Sequence, residues 1–258
     1  MKDVAEYNRR AWDARVAKGN RWTVPVTPEV ITAAREGNWE VLLTPQKPVP
    51  RSWFPELRGL DLLGLAAGGG QQAPVFAAAG ANVTVLDNSP RQLNQDQMVA
   101  EREGLQITTI LGDMRDLSGF TAESFDLVFN PCSVLFIPEV QSVFDEAWRV
   151  LRPGGLLMCG FVNPVRYVFD EKDLAQGHLT VRHALPYADS MHLNPEEQKK
   201  MQAEAEPFVF SHSLEELFGG QLRSGFALRD LYEDKSINDL LADYFPVFIA
   251  TLSQKMHS

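Results

Sequence analysis

The sequence predicts an α/β protein: a doubly wound, mostly parallel seven-stranded sheet with helices on both faces and the last strand antiparallel. Three observations predict it. Between residues 59 and 162, five short apolar runs alternate with segments of helical composition, the pattern of a parallel sheet covered on both faces. A cluster of glycines, Gly68 to Gly70, directly follows the first of those runs. A further strand, helix and strand can be read close to the C-terminus, which brings the strand count to seven.

Residues 1–55 read as a helical leader broken by loops. Its end, TPQKPVPRSWFPEL, carries four prolines, which exclude continuous helix or central strand there. LDLLGLA is the first strand, and QQAPVFAAAG is a helix closed by its glycine. NVTVLD is β-branched and ends on an acid. SPRQLNQDQMVAEREG opens with Ser89 as N-cap and Pro90 at the first helical position, and it ends at Gly104. ITTIL and SFDLVFNP are the third and fourth strands. PEVQSVFDEAWRVLRPGG is a helix with a proline–glycine stop, and GLLMCGFV is the fifth strand.

Residues 165–210 interrupt the alternation. They are rich in His, Glu and Gln, lack a clear period, and exceed an ordinary connection, so they read as a functional or disordered insertion. SHSLEELFGGQLRSGFALRDLYED then gives a capped helix, a glycine turn and a strand. A helix from about Ser236 and the strand FPVFIATLSQ close the sheet. The expected organisation is therefore a leader or lid (1–55), a binding core (56–164), an insertion covering the substrate (165–210) and a segment completing the sheet (211–258).

Composition narrows the function. The net charge of −10 disfavours nucleic acid as a partner. No apolar run approaches the roughly 18 residues of a membrane span, and the charged N-terminus lacks the apolar stretch of a signal peptide. A cytoplasmic protein with no membrane partner is expected. Cys132 and Cys159 have no metal-binding spacing and are expected to be reduced, packed thiols.

Ligands on such sheets bind beyond the carboxyl ends of the strands. After the first strand lie Gly68 to Gly70 at a helix start, where unpaired N–H groups attract an anion and the absence of side chains lets a ligand approach. A simple tight turn explains the glycines equally well. The second strand ends at Asp87, 17 residues after Gly70, and one helix plus one strand brings it back beside the loop. A carboxylate there suits the two hydroxyls of a ribose. Beyond the third strand is Gly112-Asp113-Met114, where the acid can accept from an adenine amine while the methionine packs on the ring. Asn130, after the fourth strand, faces the centre of the crevice. Its amide can orient a neighbour but cannot act as a base.

Together these residues resemble the class I S-adenosylmethionine-dependent methyltransferases, over roughly Leu60 to Pro164 and more weakly over the C-terminal strands. GLAAGGG aligns with that family's acid-x-Gly-x-Gly-x-Gly loop: Gly68 and Gly70 match, Ala66 replaces the first glycine, and Gly64 stands in place of the acid. The resemblance implies S-adenosylmethionine as cofactor and S-adenosylhomocysteine as product. It implies a cofactor site of Ala66, Gly68, Gly70, Gln71, Gln72, Asp87, Asn88, Asp113, Met114 and Asn130. Because the family's leading acid helps hold the methionine end, often through water, Gln71 or Gln72 is expected to take over that contact. A small-molecule methyl acceptor follows, with in-line displacement at the sulfonium and no required catalytic dyad.

If the acceptor needs a base, His178 or His183 in the insertion is the candidate, although histidines in a polar segment are more often surface residues. Tyr7, Trp12 and Trp22 are expected either to close over the cofactor or to pack on the core. Two alternatives stand beside this reading. Gly68-x-Gly70-x-x-Ala73 also fits a nicotinamide-dinucleotide fingerprint, although the acid of Gly-Asp-Met suits an adenine better than a pyrophosphate. The other alternative is a protein that binds S-adenosylmethionine without turnover.

Overall fold

The computed structural model describes residues 4–237 and 239–256. The strands are β1 (Asp61–Leu65), β2 (Asn82–Asp87), β3 (Ile107–Leu111), β4 (Phe125–Asn130), β5 (Leu151–Val162), β6 (Phe226–Asp234) and β7 (Phe248–Lys255). The helices are α1 (Val4–Ala17), α2 (Pro28–Arg35), α3 (Gln72–Ala78), α4 (Pro90–Glu103), α5 (Gln141–Val150), α6 (Glu171–Ala175), α7 (Asp189–His192), α8 (Pro195–Glu204) and α9 (Gly220–Arg223).

The strands form one sheet in the order β3-β2-β1-β4-β5-β7-β6. β1 to β5 pair in parallel, while β7 runs antiparallel to both β5 and β6. Strand order reverses between β1 and β4, so the ligand crevice of such a sheet falls at their carboxyl ends.

Period-two alternation divides the strand side chains between two cores. Leu62, Val83, Val85, Leu127, Phe129 and Met158 face one. Leu63, Leu65, Leu86, Val128, Leu157 and Cys159 face the other. The second core is covered by α5 through Val143, Phe144 and Ala147. The first is covered by α3 and also by the proline-rich end of the leader, which buries Trp39, Val41, Leu43, Val49, Trp53 and Leu57. Fully burying each such side chain contributes about 1.5–3 kcal/mol, so this half of the leader is a structural layer of the domain.

Two elements differ from the sequence expectation, and the insertion resolves one of its alternatives. The helix expected from about Ser236 is a single 3-10 turn, Leu240–Asp243. Pro246 follows closely and disfavours helix in the residue before it; Asn238 lies outside the described residues. Gly219 and Gly220 remain helical and the turn falls at Gly225, because Gly220 lets this helix approach Phe144 of α5 closely. The insertion is ordered, with α8 opened by a capping box in which Asn194 and Glu197 bond each other's backbone N–H. That N-x-x-E signature follows the usual rule, but α8 buries none of its residues, so no apolar period announces it.

The segment Leu42 to Pro45 crosses the carboxyl ends of β4 and β5, where the Cys132 N–H donates to the Leu43 carbonyl at 3.0 Å. Gly160 makes this crossing possible, since a Cβ there would stand 2.1 Å from the Leu43 oxygen. Gly160→Ala is therefore expected to displace residues 42–45 and to cost about 1–3 kcal/mol. Urea unfolding would show a lower midpoint, and an unchanged midpoint would contradict the crossing.

Candidate active site

The glycine loop is built by two buried carboxylates. Asp87 at the end of β2 accepts from the Gly68 N–H at 3.0 Å and the Ser89 N–H at 2.9 Å. Asp96, fully buried on α4, accepts from the N–H groups of Gly69 and Gly70, each at 3.0 Å. These hydrogen bonds tie the loop to β2 and α4 before any ligand binds. Burial pushes Asp87 up to about 6 and Asp96 up to about 8, against the opposing pull of these donors.

The glycines serve close packing here. A Cβ on Gly68 would meet Gln92 Cβ at 2.8 Å, and one on Gly70 would meet the Gln95 carbonyl at 2.9 Å. The loop is also clasped from outside by the leader. Gln71 Nε2 donates to the carbonyls of Arg21 (2.9 Å) and Val24 (3.0 Å), and Val26 N–H donates to the Gly70 carbonyl at 2.9 Å. Gln72 Oε1 accepts from the Leu42 N–H at 3.0 Å.

A cavity of about 270 Å³ opens at the strand ends. Of the sequence-predicted residues, Ala66, Gly68, Gln71, Gln72, Asp87, Asn88, Asp113 and Met114 line it. Gly70 and Asn130 lie behind the wall. Gly70 faces Asp96, while Asn130 is fully buried and donates to the Leu65 carbonyl (2.7 Å) and Ser133 Oγ (2.8 Å). Asp113 is held by Arg115, with Nε at 3.0 Å from Oδ1. Burial would raise this carboxyl, but the Arg115 bonds outweigh it and hold Asp113 below its ordinary value. Arg115 also donates its backbone N–H to Oδ1 at 2.9 Å and Nη2 to Oδ2 at 2.5 Å.

The leader supplies a second wall that the motifs did not define. α1 presents Ala5, Asn8, Trp12 and Arg15 to the cavity, and Trp22 and Leu42 to Pro45 complete that side. Trp12 packs edge-on against Phe136, at 5.1 Å between centroids. Asp13 fastens α1 to α4 by accepting from Ser89 Oγ at 2.7 Å. Tyr7 faces away, against Phe208.

Residues 165–210 do not line the cavity; they reach it through α1, where Asn8 donates to the Phe208 carbonyl at 3.0 Å and Tyr7 Oη to that of Glu206 at 2.8 Å. His178 is exposed and His183 packs against Tyr187 and His192, so neither reaches the wall. Among the described residues there is no group of three metal-binding side chains, and no helix is long and apolar enough to cross a membrane.

This donor and acceptor set distinguishes between ligands. The amides of Gly68 to Gly70 are taken up by Asp87 and Asp96, so the loop offers no free nest to a pyrophosphate. The wall instead presents acceptors: Asp87, Asp113 and the buried Oε1 of Gln92, which has no hydrogen-bond partner among the described residues. Acceptors of this kind fit the hydroxyls and amine of an adenosine.

Fold and site define a class I S-adenosylmethionine-dependent methyltransferase, and the chain belongs to that family. A family model described as a methyltransferase domain matches residues 63–159. The chain is 48% identical over 256 residues to the uncharacterized methyltransferase YbaJ of Bacillus subtilis, covering 99% of this chain and 100% of that protein. Its fold is shared with an S-adenosylmethionine-dependent methyltransferase from Mesorhizobium loti (TM-score 0.60, 19% identity, 79% of this chain and 94% of that one). It is shared also with one from Methanosarcina mazei (TM-score 0.59, 17% identity, 80% and 96%). S-adenosylmethionine is the cofactor and S-adenosylhomocysteine the product.

The two carboxyls make stability depend on pH. Both hold protons more tightly folded than unfolded, where a carboxyl titrates near 4, so the folded chain binds more protons between about pH 4 and about pH 8. Stability of the ligand-free protein should therefore fall as pH rises through that window. Melting temperatures between pH 5 and 8.5 would show this decline, and Asp96→Asn should flatten its upper half. A wild-type profile that rises with pH would contradict the assignment.

Proposed function

We propose that the chain transfers the methyl group of S-adenosylmethionine to a small organic acceptor by in-line displacement within this cavity. The observation that carries the proposal is the character of the wall beyond the cofactor residues: Leu42, Leu43, Pro45, Pro131, Val162 and Phe248 form an apolar end to a space of about 270 Å³. That mostly apolar lining with a few polar groups matches small-ligand sites, and a net charge of −10 argues against nucleic acid.

When bound, the cofactor supplies an electrophilic methyl on a good leaving group. The chain's contribution is then to hold donor and acceptor aligned and to exclude water. Asp87 is positioned to fix the ribose, Asp113 the adenine amine, and α1 with residues 42–45 closes the space above them. With His178 and His183 outside the wall, alignment rather than proton abstraction is the role assigned to the protein. Two free cysteines, one of them fully buried, fit a reducing compartment, and a cytoplasmic location is part of this reading.

Calorimetry with S-adenosylmethionine, S-adenosylhomocysteine and NAD(P)H should show binding of the first two alone. Asp87→Ala removes an acceptor of two ribose hydrogen bonds and should weaken that binding at least tenfold. Unchanged affinity would refute the ribose assignment. Methyl-donor turnover against small hydroxyl, amine and thiol acceptors tests the reaction itself; binding without turnover across a broad panel would favour a non-catalytic protein.

A further inference from the structure

The family's usual anchor for the amino-acid end of the cofactor is missing from β1. At Gly64 a side chain would enter an apolar space, meeting Ala67 Cβ at 3.4 Å and Val85 Cγ2 at 3.6 Å. Gln71 and Gln72, expected to replace that acid, are tied to the leader through Nε2 and Oε1 respectively. One amide atom of each glutamine is thereby occupied, and the wall holds a stronger partner for a carboxylate.

The charged side chains among the described residues of the wall are Asp87, Asp113 and Arg15. Arg15 is therefore the cation available to a carboxylate in this cavity. Its guanidinium lies 5.1 Å from the Trp12 ring centroid and pairs through one terminal nitrogen with Glu206. Its Nε is buried and has no hydrogen-bond partner among the described residues. A buried donor left unpaired is costly, and a ligand oxygen would remove that cost. The rest of the side chain is pre-positioned by stacking and ion pairing, which lowers the entropy lost on binding.

We propose that Arg15 Nε–H binds the carboxylate of the cofactor's amino-acid end, so that the anchor of this end lies on α1 rather than on β1. This rests on the assignment of S-adenosylmethionine as cofactor. The placement couples cofactor binding to α1, and through Glu206 to the insertion. Insertion residues that touch no ligand would thereby affect cofactor affinity.

The test compares S-adenosylhomocysteine with 5′-methylthioadenosine, which shares the adenosine and thioether but lacks the amino-acid end. Calorimetry on the full chain would use wild type, Arg15→Leu and Arg15→Lys. Arg15→Leu should weaken S-adenosylhomocysteine by about 10- to 100-fold and leave 5′-methylthioadenosine unchanged, which also reports an intact fold. Arg15→Lys should fall between wild type and the leucine variant. Equal weakening of both ligands would overturn the proposal in favour of a structural role. Unchanged S-adenosylhomocysteine affinity, with a raised KM for an acidic acceptor, would overturn it by assigning Arg15 to that acceptor. If wild type binds neither ligand, the cofactor assignment itself fails, a result separate from the other two.

Discussion

Everything at the crevice depends on three successive backbone amides being satisfied from inside the protein. The N–H groups of Gly68, Gly69 and Gly70 donate to Asp87 and Asp96, two carboxyls taken out of water at the end of β2 and on α4. Desolvation outweighs these bonds and raises both carboxyls, but buried polar groups are far costlier left bare than hydrogen-bonded, and the amides supply the partners. The loop therefore has one conformation, set by α4 rather than by a ligand. Its shape aligns the end of β1 with the end of β2, where Asp87 sits.

A second consequence is chemical. A glycine loop whose amides point outward is an anion nest, whereas one whose amides are consumed by internal carboxylates is a rigid spacer with an acidic rim. The two share a sequence signature and suit different cofactors. Here the rim is acidic at Asp87 and Asp113, and the cation arrives from α1. The cavity's polarity is thus divided by element: acceptors on the sheet, a donor on the leader and apolar surface at residues 42–45.

Much of this was legible in the sequence because parallel strands, glycine loops and acids at strand ends obey short-range rules. The order of elements and the placing of Asp87 and Asp113 at strand ends beside the loop follow from period and spacing. Asp96 was not legible: it is one acid among polar residues in NQDQM, and only the helix geometry places it under the loop. Arg15 was hidden for a related reason, since α1 has a polar composition and gains its cavity face only by docking on α4 and Phe208. The glutamines after the loop were visible, but their second role as tethers of the leader was not, because long amide side chains serve tethers as readily as ligands. The helix α8 carried a clear cap signal without the apolar period that normally accompanies one.

A loop pre-formed by Asp87 and Asp96 should show itself in amide hydrogen exchange on ligand-free protein. Strong protection of the Gly68, Gly69 and Gly70 amides is expected before any cofactor is added, with the Gly69 and Gly70 resonances shifting as Asp96 titrates near pH 8. Exchange of these three amides at unprotected rates, slowing only when S-adenosylhomocysteine binds, would contradict it.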